Sequence, residues 1–136
     1  MARKRLILIA DDNSDWRTAT AQLLEAWGYE VAQAMDGKEA LRKTTELKPD
    51  ALLLDLMMPR ESGWQLLRQL RERSEFRRLP VVLVSGWPSE RARAQELGVQ
   101  EVLAKPVEPE LLRETLERLG VAPAGDGGAT SGGGGP

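Results

Sequence analysis

Three aspartates, one serine and one lysine stand out in this sequence because each lies at the end of a short apolar run. They are Asp11, Asp12, Asp55, Ser85 and Lys105. The chain contains no cysteine and no histidine, so the most common nucleophiles, general bases and transition-metal ligands are missing. Any chemistry must therefore use carboxylates, hydroxyls, lysines and a cation that prefers oxygen ligands. This combination points toward Mg²⁺ and phosphate.

The apolar runs that carry these residues have the pattern of strands in a parallel sheet. The runs are Leu6–Ala10, Tyr29–Ala34, Ala51–Leu56, Val81–Ser85 and Glu101–Lys105. Four of them are largely continuous, as buried parallel strands are, whereas the second alternates as an edge strand does. Between the runs, apolar residues recur every three or four positions, which predicts a helix after each strand. The predicted helical stripes are Trp16, Ala19, Leu23 and Trp27; Ala40, Leu41, Thr44 and Leu47; Trp64, Leu67 and Leu70; a weaker set at Ala92, Gln95 and Glu96; and Leu111, Leu112, Thr115, Leu116 and Leu119.

Residues at the predicted helix ends support this division. Gly28 and Gly98 follow the last turns of the first and fourth helices, where a left-handed residue is favoured. Asp36 and Ser89 are predicted N-caps. Since strand and helix alternate five times, we predict an α/β fold with a doubly wound five-stranded parallel sheet and five helices. Such sheets bind ligands at the carboxyl ends of their strands.

The acids and the lysine should meet at that edge of the sheet. Three neighbouring carboxylates repel one another, and a protein tolerates them only if a cation or protons neutralise the charge. Lys105 supplies one positive charge. Mg²⁺ suits the rest, because it takes one or two protein carboxylates and leaves places for phosphoryl oxygens. Asp55 could then act as a nucleophile and form an acyl phosphate, with Ser85 donating to a phosphoryl oxygen.

Each of these residues also has a purely structural interpretation. Asp12, Asn13 and Ser14 could merely cap the first helix. Asp55 could start a turn, and Lys105 could be a solvated charge where a strand ends. The occurrence of the required residue type at four separate strand ends favours the functional interpretation.

Five segments, in order along the chain, resemble the motifs of the receiver domain of bacterial two-component response regulators, including chemotaxis regulators. They are Leu-Ile-Leu-Ile-Ala-Asp-Asp at 6–12, Asp-Gly-Lys-Glu-Ala-Leu at 36–41, Asp-Leu-Met-Met-Pro-Arg-Glu-Ser-Gly at 55–63, Val-Val-Leu-Val-Ser-Gly at 81–86 and Ala-Lys-Pro at 104–106. The resemblance runs from about Arg5 to Leu119, and the ordered set is far more specific than any single segment. It implies the flavodoxin-like strand order 2-1-3-4-5.

The resemblance also implies a function and a metal site. Asp55 would be the phospho-acceptor, receiving its phosphoryl group from a sensor histidine kinase or a phosphotransfer protein and switching partner binding. Asp11 and Asp12 would hold Mg²⁺ together with Asp55 and the backbone carbonyl of Met57. Such a domain is a signalling module rather than an enzyme, with at most slow self-phosphorylation and self-dephosphorylation.

The remaining site residues bind the phosphoryl group or respond to it. The resemblance implies that Lys105 pairs with the phosphoryl group, that Ser85 is the switch hydroxyl and that Gly86 leaves the acceptor accessible. It also implies a cis Lys105–Pro106 bond, which only X-Pro bonds adopt at modest cost. One departure is Val102, where receivers of this kind commonly carry a tyrosine, phenylalanine or histidine. Valine has almost no rotamer range, so output is expected to run through the loop after Ser85 or through the fourth helix.

Other classes of protein share parts of this pattern. Aspartate-nucleophile phosphatases of the haloacid dehalogenase type also use Asp, Ser or Thr, Lys and Mg²⁺, but they carry Asp-x-Asp after the first strand. Here Met57 lies two residues beyond Asp55, and it cannot act as the general acid. A receiver-like module that works by contact alone is a second alternative, which Val102 mildly favours and the intact acidic set opposes. A flavodoxin-like cofactor binder shares the fold class, but this sequence has no Ser/Thr/Gly-rich phosphate loop after the first strand, so fold analogy alone does not support it.

Composition sets the remaining expectations. The 136 residues suit one domain, and 41% hydrophobic with 29% charged residues is typical of a soluble globular protein. The net charge of -2 predicts no direct DNA binding and no attraction to an anionic membrane. No apolar run approaches the about 20 residues of a membrane helix, so we expect a cytoplasmic protein. We expect the receiver domain at 1–119, followed by a disordered Gly-rich tail or linker at 120–136.

Overall fold

Strands and helices alternate along the chain in the computed structural model, which describes residues 3–56, 58, 62–85 and 91–123. The strands are β1 Leu6–Ala10, β2 Glu30–Ala34, β3 Ala51–Leu54, β4 Val81–Ser85 and β5 Glu101–Ala104. The helices are α1 Ser14–Ala26, α2 Gly37–Leu47, α3 Ser62–Glu72, α4 Arg91–Glu96 and α5 Pro109–Arg118, with a 3-10 turn at Ser74–Phe76. All strand pairs are parallel, in the order β2-β1-β3-β4-β5. The predicted fold class and strand order are confirmed. Among the described residues, no helix is long and apolar enough to cross a membrane.

The sheet separates two apolar layers, as the period-2 alternation of strand side chains requires. Leu8 and Ala10 of β1 face a cluster that also contains buried residues of α2, α3 and α4. Ile7 and Ile9 face the opposite cluster, with α1 and α5. The alternating strand β2 lies at one edge and is only partly buried, as predicted.

Two strands end earlier than the apolar runs suggested. β3 ends at Leu54 rather than Leu56, and β5 ends at Ala104 rather than Lys105. Leu56 lies beyond the end of β3 but is buried. The apolar run therefore continues to Leu56 because this side chain packs in the core, and not because the strand continues. Asp55 and Lys105 therefore lie just where the backbone leaves the sheet.

The buried stripe of α1 differs from the predicted one. Thr20, Ala21 and Leu24 are buried, Ala19 is exposed, and Trp16 and the C-cap residue Trp27 pack against the core while half-buried. The face of α1 that meets the sheet contains Leu24 together with the smaller Thr20 and Ala21. A helix that packs closely on a sheet leaves little room for large side chains on that face. A pattern read from large apolar residues alone misses this face.

The predicted stripes of the later helices need correction as well. Leu47 of α2 is 47% exposed and Leu111 of α5 is 42% exposed. In α4 the buried residue is Ala94, whereas the predicted stripe of Ala92, Gln95 and Glu96 is exposed. α4 is a short helix with one buried apolar side chain, so its position must depend on other contacts.

Those contacts come from α3. Arg71 donates from Nε to the Leu97 carbonyl at 2.8 Å and from a terminal nitrogen to the Gly98 carbonyl at 2.9 Å, which satisfies carbonyls at the end of α4. Burial lowers the pKa of the Arg71 guanidinium. The guanidinium carbon of Arg93 lies 3.8 Å from the ring centroid of Trp64. Polar and cation–π contacts thus hold α4 where an apolar stripe is missing.

The signals at the helix ends were predicted correctly where the structure describes them. Gly28 and Gly98 have φ angles of 104° and 72°. The Asp36 carboxylate accepts a hydrogen bond from the Glu39 N–H at 2.8 Å and caps α2. Ser89 lies outside the described residues.

Thr44 offers a test of how a buried hydroxyl affects stability. Its side chain in α2 is fully buried, and within the described part of the chain its Oγ1 has no hydrogen-bond partner. Thr44→Val removes this oxygen at nearly constant shape, so we expect the free energy of unfolding in urea to rise by about 1 kcal/mol. Thr115→Val is the matched control, because Thr115 is equally buried but donates to the Leu111 carbonyl at 2.7 Å. An equal gain in both variants would contradict this explanation.

The packed chain continues two residues past the boundary expected after Leu119. Val121 is 3% exposed, and its N–H donates to the Leu116 carbonyl at 2.9 Å. Its carbonyl accepts a hydrogen bond from the Tyr29 hydroxyl at 2.5 Å. Burial of the Tyr29 side chain, which is 1% exposed, raises the pKa of its hydroxyl.

Truncation should therefore have different effects at two nearby points. We expect removal of everything after Leu119 to lower the free energy of unfolding by about 3 kcal/mol, because it exposes apolar core and leaves the Tyr29 hydroxyl without Val121. A chain ending at Pro123 keeps both contacts and should unfold like the full chain. Denaturant unfolding of the two truncated chains makes the comparison. Equal stability of the two would show that Val121 adds nothing.

Candidate active site

The acidic pair after β1 occupies two different environments. Asp11 is fully buried, and both of its carboxylate oxygens are in use. One accepts from the Asn13 N–H at 2.8 Å, and the other from the Lys105 ammonium at 2.9 Å. Asp12, the next residue, is exposed. Asp11 therefore anchors the site, while Asp12 presents its carboxylate to solvent.

The residue that caps α1 shows whether Asp12 has a structural role as the cap or is available to bind a ligand. The N-cap is Asn13, whose side-chain oxygen accepts from the Trp16 N–H at 3.0 Å. Asp12 is thus not the residue that caps the helix, and its carboxylate stays available for a ligand. Arg17 fixes the same turn by donating to the Asp11 carbonyl at 2.7 Å and to the Gln33 side chain at 3.1 Å. Sequence patterns gave no indication of this role of Arg17.

Asp55 lies beyond β3, next to the acidic pair. Its N–H donates to the Ala10 carbonyl at 2.9 Å, and the residue is 5% exposed. The first turn of α3 packs directly on this backbone: a Cβ on Gly63 would lie 2.9 Å from the Asp55 carbonyl oxygen. Glycine at position 63 is therefore required for α3 to approach the aspartate so closely. The spacing of Gly63 in its motif is the sequence signal for this contact.

Lys105 follows β5 at the same edge of the sheet and contacts both aspartates. Its Nζ lies 2.9 Å from an oxygen of Asp11 and 3.4 Å from one of Asp55. Burial lowers the pKa of this ammonium, but the hydrogen bond to Asp11 and the negative charges of Asp55 and Asp11 outweigh burial and raise it overall. Lys105 is therefore a fixed positive charge at neutral pH. The Lys105–Pro106 peptide bond is cis, the isomer that the resemblance implies.

Ser85 ends β4 at the same edge. It is 1% exposed, its carbonyl accepts from the Lys105 N–H at 3.0 Å, and it pairs with Ala104 of β5. Val102 lies in β5, is 7% exposed and packs in the cluster with α3 and α4. Its carbonyl accepts from Arg91 at 3.4 Å. Met57 and Gly86 lie outside the described residues, so the roles expected for them remain predictions.

The carboxylates form a cluster that fits a divalent cation. Asp11, Asp12 and Asp55 each offer one oxygen, and these three oxygens lie within 4.8 Å of one another. Among the described residues, the Lys105 ammonium contacts two of these three carboxylates, which together carry more charge than one ammonium neutralises. An all-oxygen, acidic and partly open cluster matches the preferences of Mg²⁺.

A doubly wound sheet with three aspartates and a lysine at its strand ends defines a class: this is a phospho-accepting signalling receiver domain. Residues 7–117 match the response regulator receiver domain family. The chain belongs to this family.

Relatives come from both sensor kinases and regulators. The chain is 37% identical over 112 residues to the CAI-1 autoinducer sensor kinase/phosphatase CqsS of Vibrio cholerae, covering 80% of this chain and 16% of that protein. It is 38% identical over 116 residues to the phosphate regulon transcriptional regulatory protein PhoB of Rhizobium meliloti, covering 83% of this chain and 51% of that protein. The chain thus spans about half the length of PhoB and much less of CqsS.

Solved structures of single receivers match over nearly their whole length. Chemotaxis protein CheY4 of Vibrio cholerae has a TM-score of 0.80 at 29% identity, covering 86% of this chain and 99% of that one. The receiver domain of sensor histidine kinase PA1611 from Pseudomonas aeruginosa has a TM-score of 0.77 at 28% identity, covering 87% and 99%. The PA1611 structure has a magnesium ion coordinated in its active site cleft.

Proposed function

We propose that Asp55 is the phospho-acceptor of this receiver and that the phosphorylated domain changes its affinity for a partner protein. The observation that carries this proposal is the position of Lys105, whose ammonium contacts both Asp55 and Asp11 within a cluster of three carboxylates. A lysine held there can neutralise a phosphoryl group on Asp55.

The reaction follows from the groups at the site. A carboxylate oxygen of Asp55 forms a bond to phosphorus while the phosphorus–nitrogen bond of a phosphohistidine donor breaks. The electron pair of that bond stays on the imidazole of the donor. Lys105 binds the arriving phosphoryl oxygens and holds the acceptor in place. This chain has no histidine, so the donor is a separate group, and relatives among sensor kinases support a histidine kinase or phosphotransfer protein in that role.

The metal would be held by Asp11, Asp12 and Asp55, with the Met57 carbonyl as a further proposed ligand. Mg²⁺ bound there would neutralise charge on the phosphoryl group. Asp11 also fixes Lys105, because its two oxygens accept from the Asn13 N–H and the Lys105 ammonium while each keeps a second lone pair for a ligand. The ion in the cleft of the PA1611 receiver supports this proposal.

Phosphorylation replaces the single negative charge of the Asp55 carboxylate with a phosphoryl group that carries about -1.5 to -2 charge and three acceptor oxygens. Lys105 is the cation that meets this charge, and Ser85 is proposed as the hydroxyl that follows it. With Val102 in place of an aromatic residue, we place the output in the segment after Ser85 and in α4. The small apolar contact of α4 and its dependence on Arg71 and Trp64 support this choice.

We further propose that the domain acts in the cytoplasm, without binding DNA directly, and turns over its own phosphoryl group slowly if at all.

The experiment that tests the phospho-acceptor function is intact mass of the full chain after incubation with acetyl phosphate, with Mg²⁺ or with a chelator. We expect one added phosphoryl group, only with Mg²⁺, that is stable in acid and lost in base. Rapid, continuous hydrolysis of small phosphate esters would instead support a phosphatase, and no uptake under any condition would support a contact-only module.

A further inference from the structure

We propose that Trp16 is a positioning residue for Lys105: the face of its indole ring holds the ammonium against the carboxylates and so raises the rate of phosphoryl uptake. This inference rests on the proposed function, because Lys105 matters for the rate only if Asp55 is the acceptor.

The Lys105 ammonium is enclosed by three groups. Its Nζ lies 4.9 Å from the ring centroid of Trp16, and 2.9 Å and 3.4 Å from oxygens of Asp11 and Asp55. A cation within about 6 Å of an aromatic ring face is attracted to it. An ammonium has three N–H donors, of which the two carboxylates take two. The ring covers a further side of the group, and the Lys105 side chain is 26% exposed.

The ring is itself held in place. The backbone N–H of Trp16 donates to the side chain of Asn13, the residue that caps α1, which fixes the backbone from which the ring projects. The side chain is half-buried and packs against the core cluster beneath α1 and α5. Packing against this cluster is the contact that restrains the Trp16 ring beside Lys105. Because Asn13 also donates its N–H to Asp11, the same turn fixes both the ring and the carboxylate that contact Lys105.

Loss of the Trp16 ring should make Lys105 less effective in promoting phosphoryl uptake by Asp55. Without Trp16 the flexible lysine stem gains conformations in which its ammonium points to water and leaves the acceptor. We expect the initial rate of phosphorylation by acetyl phosphate to fall about two- to fivefold in Trp16→Leu and Trp16→Met, the range given by an exposed or partly exposed cation–π contact. Trp16→Phe keeps a ring and should retain most of the rate.

The chain offers a matched control at the other end of α1. Trp27 lies beyond the last turn of α1, is half-buried in the same cluster and has the Arg113 guanidinium 5.4 Å from its ring centroid. Trp27→Leu thus removes an equivalent ring and an equivalent cation contact away from the site. Its rate should equal that of the wild-type chain.

The test is a double-mutant cycle on the full chain, with intact mass giving the initial rate at saturating Mg²⁺. If Trp16 acts through Lys105, Trp16→Leu slows the wild-type chain but has no further effect in Lys105→Met, which keeps the stem and lacks the charge. An equal slowing in both backgrounds, or unchanged rates in Trp16→Leu and Trp16→Met, would overturn the inference and leave the proposed function intact. A wild-type chain that takes up no phosphoryl group would overturn the proposed function and this inference with it.

Discussion

Replacing Asp55 with alanine is expected to abolish phosphoryl uptake completely. Asp55 is the member of the acidic cluster that follows β3, at the centre of the sheet, and its side chain is within 3.4 Å of the Lys105 ammonium. Asp11 is fully buried and already accepts hydrogen bonds from the Asn13 N–H and the Lys105 ammonium, and Asp12 is exposed, so Asp55 is the member of the cluster that we expect to carry the phosphoryl group. Intact mass after incubation with acetyl phosphate and Mg²⁺ measures the effect.

The control for this variant is Asp15→Ala. Asp15 is an exposed aspartate in the first turn of α1, near the site but outside the cluster. Asp15 should accept no phosphoryl group, so the Asp15→Ala chain should gain the same mass on phosphorylation as the wild-type chain. The loss of Asp55 also removes one of three repelling carboxylates, so the variant should remain folded. A full mass shift that survives in Asp55→Ala would exclude Asp55 as the acceptor.

Replacing Asp12 with alanine is expected to lower the affinity for Mg²⁺ by about tenfold or more. Changes to residues outside the direct ligand shell of a metal already cost about 10- to 100-fold, and Asp12 is the exposed carboxylate of the cluster. Calorimetric titration with MgCl₂ measures the affinity directly, without phosphorylation. Phosphoryl uptake should become correspondingly weak at low Mg²⁺ and recover in part at high Mg²⁺.

Two comparisons make this prediction specific to Asp12. Asp15→Ala removes an equal charge from the same face of the molecule and should leave the affinity nearly unchanged. Replacing both Asp11 and Asp12 should abolish Mg²⁺ binding, because two of the three anionic groups are then gone. An Asp12→Ala chain that binds Mg²⁺ as tightly as the wild type would place the ion elsewhere.

Much of the fold could be predicted because it depends on local patterns. The continuous apolar runs and the helical spacing between them identify alternating strands and helices, and parallel strands need such crossovers. The carboxyl ends of those strands lie at one edge, so the convergence of Asp11, Asp55 and Lys105 follows from the same pattern. The positive φ angles of Gly28 and Gly98 and the cap at Asp36 are also local, because the chain chemistry within a few residues decides them.

The contacts that tune the site depend on residues far apart in the chain, and only the tertiary structure decided them. Lys105 and Asp11 are separated by 94 positions, and no periodicity specifies which oxygen the ammonium meets. Trp16 and Lys105 are also far apart in the chain, and the contact of the ammonium with the indole ring depends on how α1 packs on the sheet.

The position at which the packed part of the chain ends also depends on contacts between residues that are far apart in the sequence. A Gly-rich composition after Leu119 indicates a tail, yet Val121 fills a place in the core and bonds with Tyr29, 92 positions earlier. The buried face of α1 likewise contains Thr20 and Ala21, which an apolar pattern does not select. Hydrophobic periodicity determines which elements form, because it reports burial averaged over a turn or a strand. Partners of individual side chains follow from how closely those elements pack, which depends on the shapes of all the residues between them.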